Sequence, residues 1–443
     1  MKKFLSLIIF FFLLNVTVSA KTLTHSINSV IKNSQILQNS ISISIKDLDT
    51  GEKIYTLNDK ILNHPASIQK MLTIVPIVET LGYDYNFSTE LYKRGNDTYL
   101  IKLGADPYLT SSDLNTLVKK INPESINKVL IDDTIIEKKD WGEGWQWDDD
   151  LNTYMPRFNP YNLDGNKVKI TIMKTEPGKQ ALIINPSKYP YAFFNEVITG
   201  NKDNVKISRD NVTASNALKL EGTVSTSITR FIPNNNLKRY FTFKLTSTLE
   251  DNKIYLKSNY MSSRHNNTDK KIAEITHPIE YAIDDVLKNS NNLTIETMNK
   301  LAANKYYKKQ GTDLDGLKLI NEYYTKINLN NSRIRLVDAS GVSKNNLVDS
   351  DFVSEFLVKN KNSEVLKRLA SPGEGTLTHR MLPIKDNVKA KTGTLSDLSS
   401  IAGYITSKNG HKYAFCIMIN DPASSESAKK ALEDYILREI YFN

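Results

Sequence analysis

Apolar and polar residues alternate near the start of the chain. Ile41, Ile43 and Ile45 are separated by Ser42, Ser44 and Lys46, Asp49-Thr50-Gly51-Glu52 turns, and Ile54-Tyr55-Thr56-Leu57 returns. A period of two on either side of a turn predicts an antiparallel strand pair. After Pro65-Ala66-Ser67 the period changes. Ile68, Met71, Leu72, Val75, Val78 and Leu81 recur at helical spacing, with Pro76 inside the run and Gly82 after it. The spacing predicts a helix that begins at Ser67, is kinked by Pro76 and stops at Gly82. From 87 to about 260 short alternating segments dominate, at 99–103, 128–131, 168–172, 181–184 and 241–245, and each predicts a strand. Helical spacing returns over 277–325, for example Ile279, Ala282, Ile283, Val286 and Leu287. Strands at 399–406 and 411–419 and a helix from 424 to about 441 complete the pattern.

Sheet-forming segments at both ends, with helices beside them, predict an α/β (α+β) domain with an antiparallel sheet flanked by helices. Its expected pieces are 21–88 and 270–443. A β-rich insertion of two subdomains is expected over 89–269. The 443 residues exceed what one core usually serves, in keeping with two or three domains. Residues 1–20 read as a cleaved signal peptide: Lys2 and Lys3, an apolar run at 4–14, then Val18-Ser19-Ala20. No other segment has the 18 apolar residues of a membrane helix, so at most peripheral membrane association is expected. The formal charge of +9, from 58 basic and 49 acidic residues, is spread without long runs and reads as a solvated surface. Export disfavours nucleic acid as a partner. The single cysteine, Cys416, lies in an apolar strand and excludes an internal disulfide. The six histidines (25, 64, 265, 277, 379 and 411) never pair at ligand spacing, so no metal or cofactor is expected.

Candidate chemistry centres on Ser67-Ile68-Gln69-Lys70. Positions i and i+3 share a helix face, a serine hydroxyl needs a base, and a helix N-terminus favours a developing oxyanion. A lysine acts as base only where burial or a second cation destabilises its ammonium. Lys391, in Lys391-Thr392-Gly393-Thr394, is the candidate cation. Gly393 lets a substrate backbone approach the strand edge, and Thr392 offers a hydroxyl to a carboxylate. Two Ser-x-Asn segments compete for a third role, Ser290-Asn291-Asn292 and Ser343-Lys344-Asn345. Each motif also has an ordinary reading: a chance SxxK spacing, or a surface turn at 391–394. Trp141, Trp145 and Trp147 read equally as a hydrophobic cluster, and 148–150 as a solvated loop.

SxxK, SxN and KTG in this order form the penicillin-recognising serine enzyme set. Along nearly the whole chain after residue 20 the sequence resembles the low-molecular-mass class C penicillin-binding proteins, the peptidase S13 family. The likeness rests on Pro65-Ala66-Ser67-Ile68-Gln69-Lys70-Met71-Leu72-Thr73, Leu103-Gly104-Ala105-Asp106-Pro107-Tyr108-Leu109-Thr110 and Trp145-Gln146-Trp147-Asp148-Asp149-Asp150. It continues in Lys288-Asn289-Ser290-Asn291-Asn292-Leu293, Asp338-Ala339-Ser340-Gly341-Val342-Ser343, and Gly375-Thr376-Leu377 with Arg380. The resemblance favours Ser290 over Ser343. It implies a transpeptidase-like fold and hydrolysis of D-Ala-D-Ala in peptidoglycan stem peptides and of cross-links, in the periplasm, with β-lactams as covalent inhibitors. It implies Ser67 as nucleophile, Lys70 as base, Ser290 as proton relay, Asn292 on Lys70 and the substrate backbone, and Lys391 as electrostatic aid. Thr392 would bind the terminal carboxylate beside Gly393, and the N–H groups of Ser67 and Thr394 would form the oxyanion hole. Asp149, Tyr154 and Lys344 match positions that hold a diaminopimelate side chain. Lys344 stands where Arg is usual, Asn291 replaces Asp and Ala339 replaces Gly.

Two rivals remain. A β-lactamase would share Ser67, Lys70 and the KTG strand but needs a deacylating carboxylate, and no Glu-x-x-Leu-Asn segment stands between the first two motifs. A non-catalytic cell-wall binder would retain the fold without the chemistry.

Overall fold

In a computed structural model, residues 23–122, 125–210 and 216–443 are described. The signal-peptide reading of 1–20 lies outside the described residues. The chain divides into two compact units. One holds the residues up to Tyr83, Glu280–Asn291 and Asp313–Asn443, and the other Asp84–Ile279 and Asn292–Thr312.

The first unit is built on one antiparallel sheet in the order Val388–Leu395, Leu398–Thr406, Lys412–Ile419, Ile41–Asp47, Lys53–Leu57. Ile41, Ile43 and Ile45 face a core shared with Leu23, Ile27, Leu432 and Ile436. Residues 23–33 are helical, and Leu432 and Ile436 belong to the helix Glu426–Phe442. Each such isoleucine contributes about 1.5–3 kcal/mol by burial. The alternation at 41–46 predicts a polar opposite face, and that face is buried too. Ser42 meets Ser350 at 2.9 Å and Ser44 meets Ser354 at 2.8 Å. Lys46 pairs with Asp351 at 3.0 Å and Glu355 at 2.6 Å. The partners stand four residues apart on the helix Ser350–Lys359, so strand period and helix period match polar group to polar group. Cys416 is wholly buried in this sheet. Burial pushes its thiol well above the ordinary range, with Asp349 and Glu433 adding to the effect, which leaves it inert as a nucleophile.

The second unit contains a five-stranded sheet, Met261–Ser262, Lys128–Asp132, Thr98–Leu103, Asn86–Arg94 and Lys270–Pro278, and two three-stranded sheets. It has its own apolar core, which includes Leu114, Val129, Tyr161, Phe241 and Leu245. Two sequence expectations differ here. The alternation at 241–245 lies inside a helix, Leu237–Asp251. Asn236 caps it by accepting the Arg239 N–H at 3.0 Å, and Leu237, Phe241, Leu245 and Leu249 form a buried i, i+4 row that a five-residue window does not show. Residues 292–312 also group with this unit rather than with the terminal pieces. Their helix Asn292–Tyr307 is bound within the unit by Asn162 to Thr297 at 3.3 Å and Lys300 to the Lys139 carbonyl at 2.5 Å.

Trp141 and Trp145 pack edge to face at 5.2 Å, whereas Trp147 is 78% exposed. The acidic run is only partly a solvated loop, because Asp150 is buried against Arg209 at 2.9 Å.

Candidate active site

Ser67 sits in a single 3₁₀ turn, Ala66–Ile68, that runs into the helix Gln69–Leu81. Gly82 ends that helix at φ +87°, with its N–H on the Val78 carbonyl at 2.8 Å. Pro76 is accommodated inside it. Ala66 has φ +48°, a left-handed conformation that costs a non-glycine residue energy and is held by its surroundings. The result presents a half-buried Ser67 above a fully buried Lys70. The Lys70 Nζ donates to Ser67 Oγ at 3.0 Å and to the Ser340 carbonyl at 2.8 Å.

The Ser340 carbonyl comes from a loop that is packed onto the same turn. Asp338 folds the loop by accepting the Gly341 and Ser343 N–H groups at 2.8 and 2.7 Å. Gln69 Nε2 donates to the Asp338 carbonyl at 2.6 Å, and Thr73 Oγ1 to the Ala339 carbonyl at 2.8 Å. Gly341, at φ +82°, has no room for a side chain, since a Cβ would lie 2.0 Å from the Ala66 carbonyl oxygen. Ser343 is therefore a buried brace of this loop, which accounts for the rival Ser343-Lys344-Asn345 segment.

Lys391 lies on the edge strand Val388–Leu395 and is wholly buried. Burial, then the charge of Lys70, holds its ammonium well below the usual lysine range. Two ammonium groups buried together are mutually costly, the condition under which a lysine serves as a base. Its Nζ donates to the Thr392 carbonyl at 2.9 Å. A Cβ on Gly393 would lie 2.4 Å from Ser400 Oγ and 2.8 Å from the Ser67 nitrogen, so the strand passes directly against the Ser67 turn. Ser400 Oγ ties the two by donating to the Pro65 carbonyl at 2.8 Å. Thr394 is exposed, and the Thr392 hydroxyl donates to Thr376 Oγ1 at 2.6 Å.

Ser290 has φ +63° in the turn after the helix Ile279–Lys288 and belongs to the same unit as Ser67, Lys70 and Lys391. The Lys344 Nζ is 3.7 Å from Asp397 Oδ2, beside the turn that follows the KTG strand. Asn292, Asp149 and Tyr154 lie in the second unit. There the Asn292 amide donates to the Tyr154 carbonyl at 2.7 Å, Asp149 ends the short helix Trp147–Asp149, and Tyr154 is 75% exposed. Ser340 and Thr376 were not singled out by spacing. One contributes a carbonyl and the other a hydroxyl from irregular loops, which leave no periodic signal.

A model of the D-Ala-D-Ala carboxypeptidase 3 (S13) family matches residues 23–438. The D-alanyl-D-alanine carboxypeptidase DacB of Haemophilus influenzae is 22% identical over 446 residues, spanning 95% of this chain and 93% of that protein. A D-alanyl-D-alanine carboxypeptidase of Actinomadura sp. (strain R39) is 24% identical over 447 residues, spanning 90% and 81%. The crystal structure of penicillin binding protein 4 (dacB) from Haemophilus influenzae has the same fold, with a TM-score of 0.80 at 22% identity over 90% of this chain and 95% of that one. From the Ser67 turn to the KTG strand and along nearly all of its described length, the chain belongs to the D-Ala-D-Ala carboxypeptidase (S13) family.

Proposed function

We propose that this protein is a serine DD-peptidase that hydrolyses the D-Ala-D-Ala bond ending a peptidoglycan stem peptide, and the D-Ala-diaminopimelate bond of cross-links. The observation that carries this reading is the 3.0 Å contact of Lys70 Nζ with Ser67 Oγ, made beside the buried Lys391. Ser67 Oγ attacks the carbonyl carbon of the penultimate D-alanine, and its proton passes to the Lys70 amine. The tetrahedral oxyanion is held by the N–H groups of Ser67 and Thr394. The proton returns through Ser290 to the leaving nitrogen, the C–N bond breaks and D-alanine departs. Water then adds to the ester on the same path and restores the serine. Thr392 receives the terminal carboxylate and the substrate backbone lies along the strand edge at Gly393, whose missing side chain makes room for the Ser67 turn and Ser400 rather than for substrate.

Asn292, Asp149, Tyr154 and Lys344 take their roles from the family resemblance: substrate backbone for the first, diaminopimelate side chain for the others. As a lysine, residue 344 keeps the charge but not the two-pronged geometry of arginine. β-Lactams acylate the same serine. The leader at 1–20 directs the protein to the periplasm, where no cofactor takes part.

The test is digestion of purified peptidoglycan followed by mass spectrometry, with Ser67→Ala as control. Release of D-alanine and loss of cross-linked dimers are the expected products, absent in Ser67→Ala. A penicillin adduct on Ser67 is expected to last minutes to hours, on the order of the slow hydrolysis of an ester without a dedicated deacylating base. Rapid turnover of penicillin would make the protein a β-lactamase instead.

A further inference from the structure

Thr392 and Thr376 share one hydrogen bond, and its direction matters. A hydroxyl has one proton to donate and two lone pairs to accept with. Thr392 gives its proton to Thr376 Oγ1 at 2.6 Å, so in this state it presents only lone pairs to a ligand. A carboxylate, an acceptor without a proton, would be repelled.

The loop that carries Thr376 is fixed at several points. Gly375 has φ +48°, and a Cβ there would lie 2.3 Å from the Lys288 carbonyl oxygen, two residues before Ser290. The Gly373 N–H is bound to the Leu377 carbonyl at 3.0 Å, and Leu377 is fully buried. Arg380 ties the end of the loop to Asp434 at 2.6 Å and to Glu433 at 2.8 Å on the C-terminal helix. The start is bridged to the KTG strand by the Ala390 N–H on the Ala370 carbonyl at 2.9 Å. Thr376 thus cannot withdraw from Thr392 without disturbing the Ser290 turn and the sheet edge together.

We propose that Thr376 is a positioning residue for the substrate's terminal carboxylate, acting through Thr392. When a carboxylate arrives, both hydroxyls rotate about their Cβ–O bonds. Thr376 becomes the donor to Thr392 Oγ1, and the Thr392 proton turns to the carboxylate. No proton leaves its oxygen, and the two oxygens stay in contact. The accepted bond polarises the Thr392 hydroxyl and strengthens what it donates. This rests on the reading of Thr392 as the carboxylate ligand.

The experiment compares kcat and KM on a peptide ending in D-Ala-D-Ala with those on the same peptide ending in a C-terminal amide. The proteins are the wild type, Thr376→Val, Thr376→Ala, Thr376→Ser, Thr392→Val, and Thr376→Val combined with Thr392→Val. The acid-to-amide ratio of kcat/KM is expected to fall about tenfold in Thr376→Val, mostly through KM, as for loss of a hydrogen bond to a charged group. Thr376→Ser restores the ratio, and adding Thr376→Val to Thr392→Val changes it no further. An unchanged ratio, or a further loss in the Thr392→Val background, overturns the proposal. Should Thr376→Val melt early in circular dichroism, Thr376→Ala carries the same comparison. Failure of the wild type to release D-alanine would sink the peptidase reading itself, a separate result.

Discussion

Glycine at 393 answers a demand for space. A methyl group there would need to sit 2.4 Å from Ser400 Oγ and 2.8 Å from the Ser67 nitrogen, distances that carbon does not tolerate, so either the strand edge or the Ser67 turn must move. Gly393→Ala is expected to slow acylation by labelled penicillin on the order of 10²-fold, the penalty of an ångström's misplacement at a reacting centre. A rate near wild type would mean that the strand and Ser67 are not in close register. Lys391 supplies a second test. Its folded pKa lies well below the ordinary lysine value, by burial first and the charge of Lys70 second. The repulsion between the two ammonium groups is mutual, so the Lys70–Lys391 pair gives up its first proton at lower pH than a free lysine, near 10.4. The acid limb of the kcat/KM profile, read as that first proton, is expected below that value. Lys391→Ala removes the like charge that opposes an ammonium at Lys70 and should move the limb to higher pH. A limb that stays in place would assign no electrostatic role to Lys391.

The strand Ile41–Asp47 and the helix Ser350–Lys359 show what an element adds to its residues. Ser44→Ala removes the 2.8 Å bond to Ser354, which keeps its bond to the Asp351 carbonyl at 3.0 Å, and should cost about 0.5–1.5 kcal/mol in chemical denaturation. The double variant with Ser354→Ala should cost less than the sum of the singles, and strict additivity would show that the hydroxyls do not interact. Asp351 ties the same elements together. Burial raises its pKa, but hydrogen bonds from Lys60, Lys53 and Lys46 prevail and hold it well below the carboxylate range. A depressed folded pKa gives stability that is complete above the unfolded value of about 3.9 and is lost as pH falls below it. Between about pH 4 and pH 2 the wild type should therefore lose more stability than Asp351→Asn, read as the difference in urea midpoint. Equal losses would remove Asp351 from the acid response. The alternation of Ile41, Ile43 and Ile45 was legible because a period of two is local. The destination of Ser42 and Ser44 was not, since their partners lie some three hundred residues away. Phe241-Thr242-Phe243-Lys244-Leu245 misled because two periods coincide over five residues. The Ser67, Lys70 and Lys391 motifs could be read from spacing and resemblance. The segments holding Ser340 and Thr376 were part of the resemblance, but the contacts of the Ser340 carbonyl with Lys70 and of the Thr376 hydroxyl with Thr392 could not be read, because loop contacts leave no spacing.

The two units keep separate cores, one around Ile43 and Ile436 and the other around Tyr161 and Phe241. Phe241→Ala, at a wholly buried site, should cost about 3–5 kcal/mol and lower one calorimetric transition while leaving the other in place. One transition that moves as a whole would show that the units unfold together. The pairing of Ile41 with Ile419 has a consequence for how the molecule is made. The first strand of the sheet acquires this neighbour only after the chain has been synthesised as far as Ile419. Closing so long a loop is slow, and meanwhile Ile41–Asp47 is an unpaired edge open to aggregation. Chaperones that hold the chain extended would protect that edge. The strand bearing Lys391 joins the same sheet, so a truncated chain carries Ser67 but not the assembled machinery. Synthesis as far as the strand Lys412–Ile419 then acts as the safety catch on the hydrolase.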